Sequence, residues 1–463
     1  MWVNDIHSKL NATRVARVVT PRSLDELVSV VAEAAAARAQ LSICGGRHAM
    51  GGQQFGADTW LIDTGGLAAI LDLDEGRGLV TAGAGIQWPG LIGGCRALHR
   101  AGAPDWGIRQ KQTGADRLSL GGALSANIHG RGLRLAPIIG DVEAFTLVDA
   151  NSEVRRCTRT ENSELFGLVV GGYGMFGVIA DVTLRLMPRA KVERRVEVIT
   201  LEQLLRVPEE RDTTQWMFGD FQYSIDEKSP DFLRLGVFSA YHRIPDDAEM
   251  PAEQKQLREE DWERLLYLAH TDRARVFQEY SAYYLSTEGQ RYWSDTHQLS
   301  DYIDNYHQPL DRRLRSPCEC SEMITEIYVP RAALGAFMGC AADQLRNGPC
   351  PVIYGTIRLV ERDRESFLAW AREPWACIIF NLHVEHTDGG LEVALGAFRG
   401  LIDLAIGFGG SYYLTYHRWA TRAQVEACHP RFREFLARKL QHDPAERFTS
   451  DWYRHHRDLF AGA

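Results

Sequence analysis

No stretch of the 463 residues approaches the ~20 consecutive apolar residues that a membrane-spanning helix requires, so no membrane span is expected. Residues 31–39, the most alanine-rich segment, carry a glutamate and an arginine and read as an ordinary helix. The N-terminus, Met1 to Leu10, lacks the basic-then-apolar layout of a secretory signal. No CxxC pair occurs among the 9 cysteines, an odd number scattered along the chain. That argues against a disulfide framework and for a reducing, cytoplasmic setting. Positive charge is in deficit, 52 Lys and Arg against 61 Asp and Glu for a net −9, which excludes a basic footprint for nucleic acid. Repeats and low-complexity linkers are also missing. What remains, 45% apolar and 24% charged, is the mix of a globular chain and excludes global disorder.

Length predicts about three units, or two larger ones. The 42 glycines are unevenly placed. They cluster at 45–52, 83–94, 121–132 and 171–177, then thin out after Pro188 as aromatic and charged residues increase. A boundary near 190 follows. In the first region Ser23-Leu24-Asp25-Glu26 has the form of a capping box that opens a helix to about Ala39. Strands are expected at Leu41–Cys44, Thr59–Asp63, Leu79–Ala82, Asp141–Asp149 and Val178–Leu186, and a helix from Pro89 to about Ala101. This is an α+β pattern. Beyond 190, residues 191–250 read as strand and loop, and Pro251–Tyr284 as helix. Residues 290–318 have weak periodicity. Strands are expected at Glu322–Val329, Val352–Val360 and Ile378–Glu385. Helices are expected at Arg331–Arg346, Leu391–Phe408 and Arg422–Gln441, followed by a tail ending near Asp458.

Three glycine segments carry the chemistry. The first, Gly45-Gly46-Arg47-His48-Ala49-Met50-Gly51-Gly52, directly follows a strand. Consecutive N–H groups at such a turn make an anion-binding concavity suited to a pyrophosphate. It is neither a Walker loop nor a GxGxxG fingerprint. The second runs from Ser119 through Gly121, Gly122, Ser125, Asn127 and His129 to Gly130. Polar residues at every second position predict an extended segment with one polar face. The third, Gly171-Gly172-Tyr173-Gly174-Met175-Phe176-Gly177-Val178-Ile179, runs into a strand.

Taken together and in this order, the three segments resemble the FAD-binding domain of the vanillyl-alcohol oxidase and p-cresol methylhydroxylase (PCMH) superfamily. Within it, the resemblance is to decaprenylphosphoryl-ribose oxidase and to the alditol and aldonolactone oxidases. The C-terminal features Tyr412-Tyr413, His429-Pro430-Arg431 (read as part of a helix), Asp443-Pro444 and Phe448-x-Ser450-Asp451 extend it to the first of these. The implied fold is a two-domain α+β PCMH-type fold. Residues 1–190 would bind FAD, 191–425 would form a substrate domain on an antiparallel sheet flanked by helices, and 426–463 would return to the FAD domain. The implied cofactor contacts are Gly45, Gly46, Arg47, His48, Ala49, Met50, Gly51, Gly114, Ser119, Gly121, Gly122, Ser125, Asn127, His129, Gly130, Gly172, Gly177, Ile179 and Tyr413. In the alditol, cytokinin and berberine-bridge branches the matching histidine is bonded to the flavin, so covalent FAD through His48 is expected. Ala115 stands where a second, cysteine link would be.

The resemblance implies oxidation of an alcohol CH–OH in a polyol, sugar or sugar-like metabolite, with hydride passing to the flavin and a base taking the hydroxyl proton. Tyr416 stands where relatives carry a lysine. It is expected to act as the base if a cation, Arg358 or His417, lowers its pKa. Arg358 and His383 match an arginine and a histidine that alditol oxidases hold above the flavin. Glu326, Glu361, Glu385 and His386 are weaker candidates. Cys318, Cys320 and His307 do not complete a tetrahedral metal site. Lactone, amine or aromatic-alcohol oxidation, and flavin binding without turnover, stay open as alternatives. So does the electron acceptor, oxygen or another.

Overall fold

A computed structural model describes residues 1–300, 303–346 and 348–461, with backbone alone at 208 and 209. It is a mixed α+β chain, and none of its described helices is long and apolar enough to cross a membrane.

Three sheets organise the described residues around the site. The first is parallel: β1 (Arg17–Val19), β2 (Leu41–Cys44) and β3 (Trp60–Asp63), with β3 central. The second is antiparallel and five-stranded: β4 (Ile70–Asp74), β5 (Leu79–Gly83), β6 (Val142–Val148), β7 (Val154–Cys157) and β8 (Val178–Arg185), in the order β7-β6-β8-β5-β4. The third has eight antiparallel strands: β9 (Lys191–Thr200), β10 (Trp216–Tyr223), β11 (Leu235–Arg243), β12 (Arg291–Trp293), β13 (Cys320–Pro330), β14 (Val352–Val360), β15 (Trp375–Glu385) and β16 (Ser411–Tyr412). Its order is β12-β9-β11-β10-β14-β15-β13-β16.

The two faces of this large sheet differ, because strand side chains alternate. One face is apolar: Met323 and Ile327 of β13, Ile357 of β14, and Ile378, Phe380 and Leu382 of β15 are all buried. The helices Leu334–Arg346 and Asp388–Gly407 share this core through Phe337, Ala341, Phe398 and Leu401. Burying each of the larger of these side chains stabilises by about 1.5–3 kcal/mol. The other face carries Glu322, Glu326 and Tyr328 of β13, paired in register with His383, Ile379 and Cys377 of β15. Arg358 and Thr356 of β14 sit opposite Cys377 and Ile379.

Several elements depart from the sequence pattern. The helix opened by Ser23 ends at Ala36, and Glu26 accepts from the Arg22 amide, so the box is only half formed. The helix carrying Pro89 spans Trp88–Leu98. Segment 119–130 is not extended. Ser119 caps a helix over Leu120–Ala126, and Asn127 ends it in the left-handed conformation. Leu201–Glu210 is a helix with a Thr200–Gln203 capping box. The 251–284 region is two helices, Glu259–Thr271 and Arg273–Leu285, separated at Asp272. Pro430 divides the expected 422–441 helix into Arg422–Cys428 and Phe432–His442, which leaves His429-Pro430-Arg431 between helices. The tail is a helix, Asp451–Ala461. Just before it, the chain lies along β2: Leu41 donates to the Arg447 carbonyl at 2.6 Å and accepts from the Thr449 amide at 2.8 Å.

Candidate functional site

The Gly45–Gly52 loop leaves β2 at its C-terminal end. An added Cβ on Gly46 would stand 2.2 Å from the Arg117 carbonyl oxygen, so only glycine lets the two loops pass. Arg47 has φ 59° and is held by Asp63 at 2.9 Å. The Ala49 and Met50 carbonyls accept from the Gln54 and Asn11 side chains, and Gly51 donates to the Thr415 carbonyl. The backbone N–H groups of Gly46, Arg47, Ala49 and Met50, by contrast, have no acceptor among the described residues. Successive unpaired amides at the end of a strand form a pyrophosphate-sized nest. His48 is buried, and its Nδ1 lies 2.8 Å from His7 Nε2. Burial lowers the His48 pKa to about 4, so its ring is neutral at pH 7.

The second segment lies against the first, since an added Cβ on Gly45 would stand 1.9 Å from Ser119 Oγ, and Ser119 also accepts from the Gly122 amide. Gly121 donates to Ala84, and Gly130 to the Gln110 side chain. Gly114 has φ 94° and donates to Ser300. The Ser125 carbonyl accepts from Tyr173 of the third segment, whose Gly172 and Gly177 lead into β8 and Ile179. The Tyr413 hydroxyl donates to the Ala126 carbonyl. Asn127 is committed elsewhere. Its Nδ2 donates to Asp363 at 2.9 Å and its Oδ1 accepts from Ile139, so its side chain braces the helix end rather than presenting a polar edge.

His129 crosses from this segment to the polar face of the large sheet. Its Nδ1 faces the Gly130 carbonyl at 2.9 Å, which can only accept, and its Nε2 lies 2.8 Å from Glu326 Oε1. Tyr328 donates to the same oxygen, and Tyr416 donates to Oε2 at 3.3 Å. Burial pushes the Glu326 pKa up, but the His129 charge and these hydrogen bonds outweigh it and hold the carboxyl below its ordinary value. Glu326 is therefore an ionised, buried carboxylate at neutral pH.

The phenol of Tyr416 is shifted opposite to the sequence expectation. Burial and the Glu326 charge raise its pKa well above 10, although Arg358 opposes them. His417 supplies no cation. Burial lowers its pKa to about 3, and it stacks on Tyr412. Arg358 does face the site, with a buried, unpartnered Nε. His383 does not. It lies six residues along β15 from Cys377, the register partner of Arg358, which is about 20 Å of strand. There it bonds Glu322. Glu361 pairs with Arg331, His386 with Ser321, and Glu385 is exposed. The residue undervalued in the sequence was Glu326. Its signal was the two-residue alternation with Tyr328 and Glu322 on an otherwise apolar strand.

Comparison with known proteins decides the cofactor. A family model described as an FAD binding domain matches residues 15–158, which include the first two glycine segments. The chain carries an FAD-binding domain. That domain is of the PCMH type and makes the chain a flavoprotein, and the unpaired amides after β2 fit the cofactor's anionic centre. Among similar proteins, the L-gulono-1,4-lactone dehydrogenase of Mycobacterium tuberculosis is 23% identical over 445 residues, 94% of this chain and 95% of the relative. The L-gulonolactone oxidase of Bos taurus is 26% identical over 189 residues, 40% of each chain. Cytokinin dehydrogenase 3 of Oryza sativa subsp. japonica is 28% identical over 177 residues, 37% of this chain and 32% of the relative.

Proposed function

We propose that this flavoprotein oxidises a CH–OH group of a polyhydroxylated substrate, a polyol, sugar or aldonolactone. The observation that carries the reading is a set of orphaned polar groups on the polar face. Asp220 Oδ1, Gln222 Oε1, Ser239 Oγ, Thr356 Oγ1 and Arg358 Nε are all buried without partners. β10, β11 and β14 bring them side by side, since Phe221 pairs with both Phe238 and Ile357. Leaving such groups unmet costs about 1–3 kcal/mol each, which a ligand rich in hydroxyls would recover. An aromatic alcohol offers too few donors and acceptors to do so. The names of the gulonolactone relatives point the same way.

Bound FAD would supply the acceptor for hydride from the substrate carbon. The chain's own residues would handle the proton. Glu326 is the base, because its carboxylate is ionised and the Tyr416 bond that reaches Oε2 is long and weak. Tyr416, a phenol at any physiological pH, accepts from the substrate hydroxyl while donating to Oε2. His129 holds Oε1 and stabilises the carboxylate until it is protonated. Arg358 binds substrate oxygen. In this reading His48, neutral and buried beside His7, bonds FAD covalently, and the remaining loop residues cradle it.

The test is a panel of polyols, aldoses, aldonolactones, aromatic alcohols and amines mixed anaerobically with the yellow protein. Bleaching of the flavin absorbance by one of the first three classes is expected. Bleaching by aromatic alcohols or amines alone would overturn the substrate reading.

A further inference from the structure

Four residues before Glu326, about 13 Å along β13, the same face carries a second buried carboxylate. Glu322 Oε1 lies 3.1 Å from His383 Nδ1 and 3.0 Å from His270 Nε2. The two imidazoles stand at 82° with centroids 4.8 Å apart. The three donor atoms lie within 4.8 Å of one another. We propose that His270, Glu322 and His383 form a binding site for one divalent transition-metal ion, zinc by preference, which fastens the helix Glu259–Thr271 to the large sheet.

The geometry suits such an ion. Bonds of about 2.0–2.1 Å in a tetrahedron set neighbouring ligand atoms about 3.3–3.4 Å apart, and the two N···O separations need to open only slightly to reach that. Two imidazoles and one carboxylate are also a donor set zinc accepts, with water in the fourth position.

A plain ion-pair triad accounts less well for the atoms. Glu322 Oε2 is buried without a partner, and His270 Nε2, although close to Oε1, makes no hydrogen bond of sound geometry. A metal uses both: the imidazole lone pair points at the ion, and the spare carboxylate oxygen can approach it. Glu322 and His383 are register partners on adjacent strands, so two of the three ligands are held rigidly. His270 comes from the last turn of the helix Glu259–Thr271. The charges of Glu322, Asp311 and Glu385 all act on His383 and make the surroundings attractive to a cation.

The proposal is tested on tag-free, FAD-loaded protein stripped with a chelator and desalted. Zinc is titrated against a chromophoric competitor, and cobalt is added separately for its visible spectrum. One equivalent of zinc per chain is expected, with a rise in thermal midpoint and cobalt bands typical of a low-coordinate site. The His270→Ala/His383→Ala double variant should bind at least roughly 100-fold more weakly, since even changes outside the ligand shell can cost that much. Glu322→Gln, which keeps shape and removes charge, should also weaken binding, and flavin absorbance reports whether either variant has folded. Wild-type protein that binds no more zinc than the double variant would overturn the site, as would an equivalent retained in every variant. None of these readings uses turnover, so they stand or fall apart from the proposed oxidation.

Discussion

Replacing Glu326 with glutamine tests the assignment of the base. The substitution removes one charge and almost no volume. In the wild type, Glu326 Oε1 receives His129 Nε2 and Tyr328, while Oε2 receives Tyr416. In the variant, the amide oxygen can keep one of these donors. The amide NH2 can donate to a tyrosine oxygen or to a His129 that has lost its Nε2 proton. The fold therefore loses about 1–3 kcal/mol, the cost of an imperfectly met buried group, and FAD content should be unchanged. Turnover loses more. Removing a positioned base lowers the rate by roughly 10²–10⁴, which is about 2.7–5.4 kcal/mol at 1.36 kcal/mol per decade. The assay is single-turnover flavin reduction in an anaerobic stopped-flow instrument, with whichever substrate the panel identifies, from pH 5 to pH 10. Because the Glu326 pKa is depressed, its ionised form and the stability it confers are present above the unfolded value of about 4.3 and are lost as pH falls through the folded value. The wild-type rate should thus be flat through neutral pH. If a Tyr416 phenolate were the base, the rate would climb by about tenfold per pH unit across this whole range, because the phenol titrates above it. A Glu326→Gln enzyme reduced at the wild-type rate, or a wild-type rate that rises continuously with pH, refutes the assignment.

Tyr416→Phe should slow reduction about tenfold and leave the pH profile unchanged, since it removes a relay and not an ionisation. Arg358→Gln should raise KM more than it lowers kcat, and equal falls in kcat and kcat/KM would instead place Arg358 in the transition state. FAD should stay with the wild-type chain after acid precipitation and be released from His48→Ala; free FAD in the wild-type supernatant would dismiss the covalent link. Gly46→Val, whose Cβ would meet the Arg117 carbonyl at 2.2 Å, should give protein with little bound flavin, and normal absorbance at 450 nm (roughly the flavin maximum) would show that the loop moves aside freely.

Much of the chain was legible because local chemistry and tertiary structure agree. Val352–Val360 was bounded correctly, since an apolar run between turn residues leaves little choice. The FAD-binding domain announced itself through its clustered glycines. The failures have specific causes. The 119–130 alternation imitates a strand, but Ser119 is a helix cap and Asn127 a left-handed stop, and those two signals decide the segment. Pro430 should have divided the last predicted helix. At the candidate site, the fold brings Arg358 but not His383 near Tyr416. Register between β14 and β15 is fixed by long-range pairing that no single segment encodes, and it sets Cys377, not His383, beside the arginine. The direction of the Tyr416 shift was equally hidden, because it depends on burial in the assembled fold and on a carboxylate 90 residues earlier in the chain.

The pairing of Leu41 with residues 447–449 has a consequence for synthesis. Leu41 opens the strand that runs into the Gly45–Gly52 loop, yet its hydrogen-bond partners lie 406 and 408 residues later. While the chain is being made, the outer edge of β2 stays bare until almost the whole sequence has left the ribosome, at about 5–20 residues per second. During that interval of tens of seconds, the nascent protein presents an unpaired strand edge, a surface that invites association with other chains. Cofactor capture is correspondingly a late event, and expression at low temperature with abundant riboflavin should favour the soluble, yellow product.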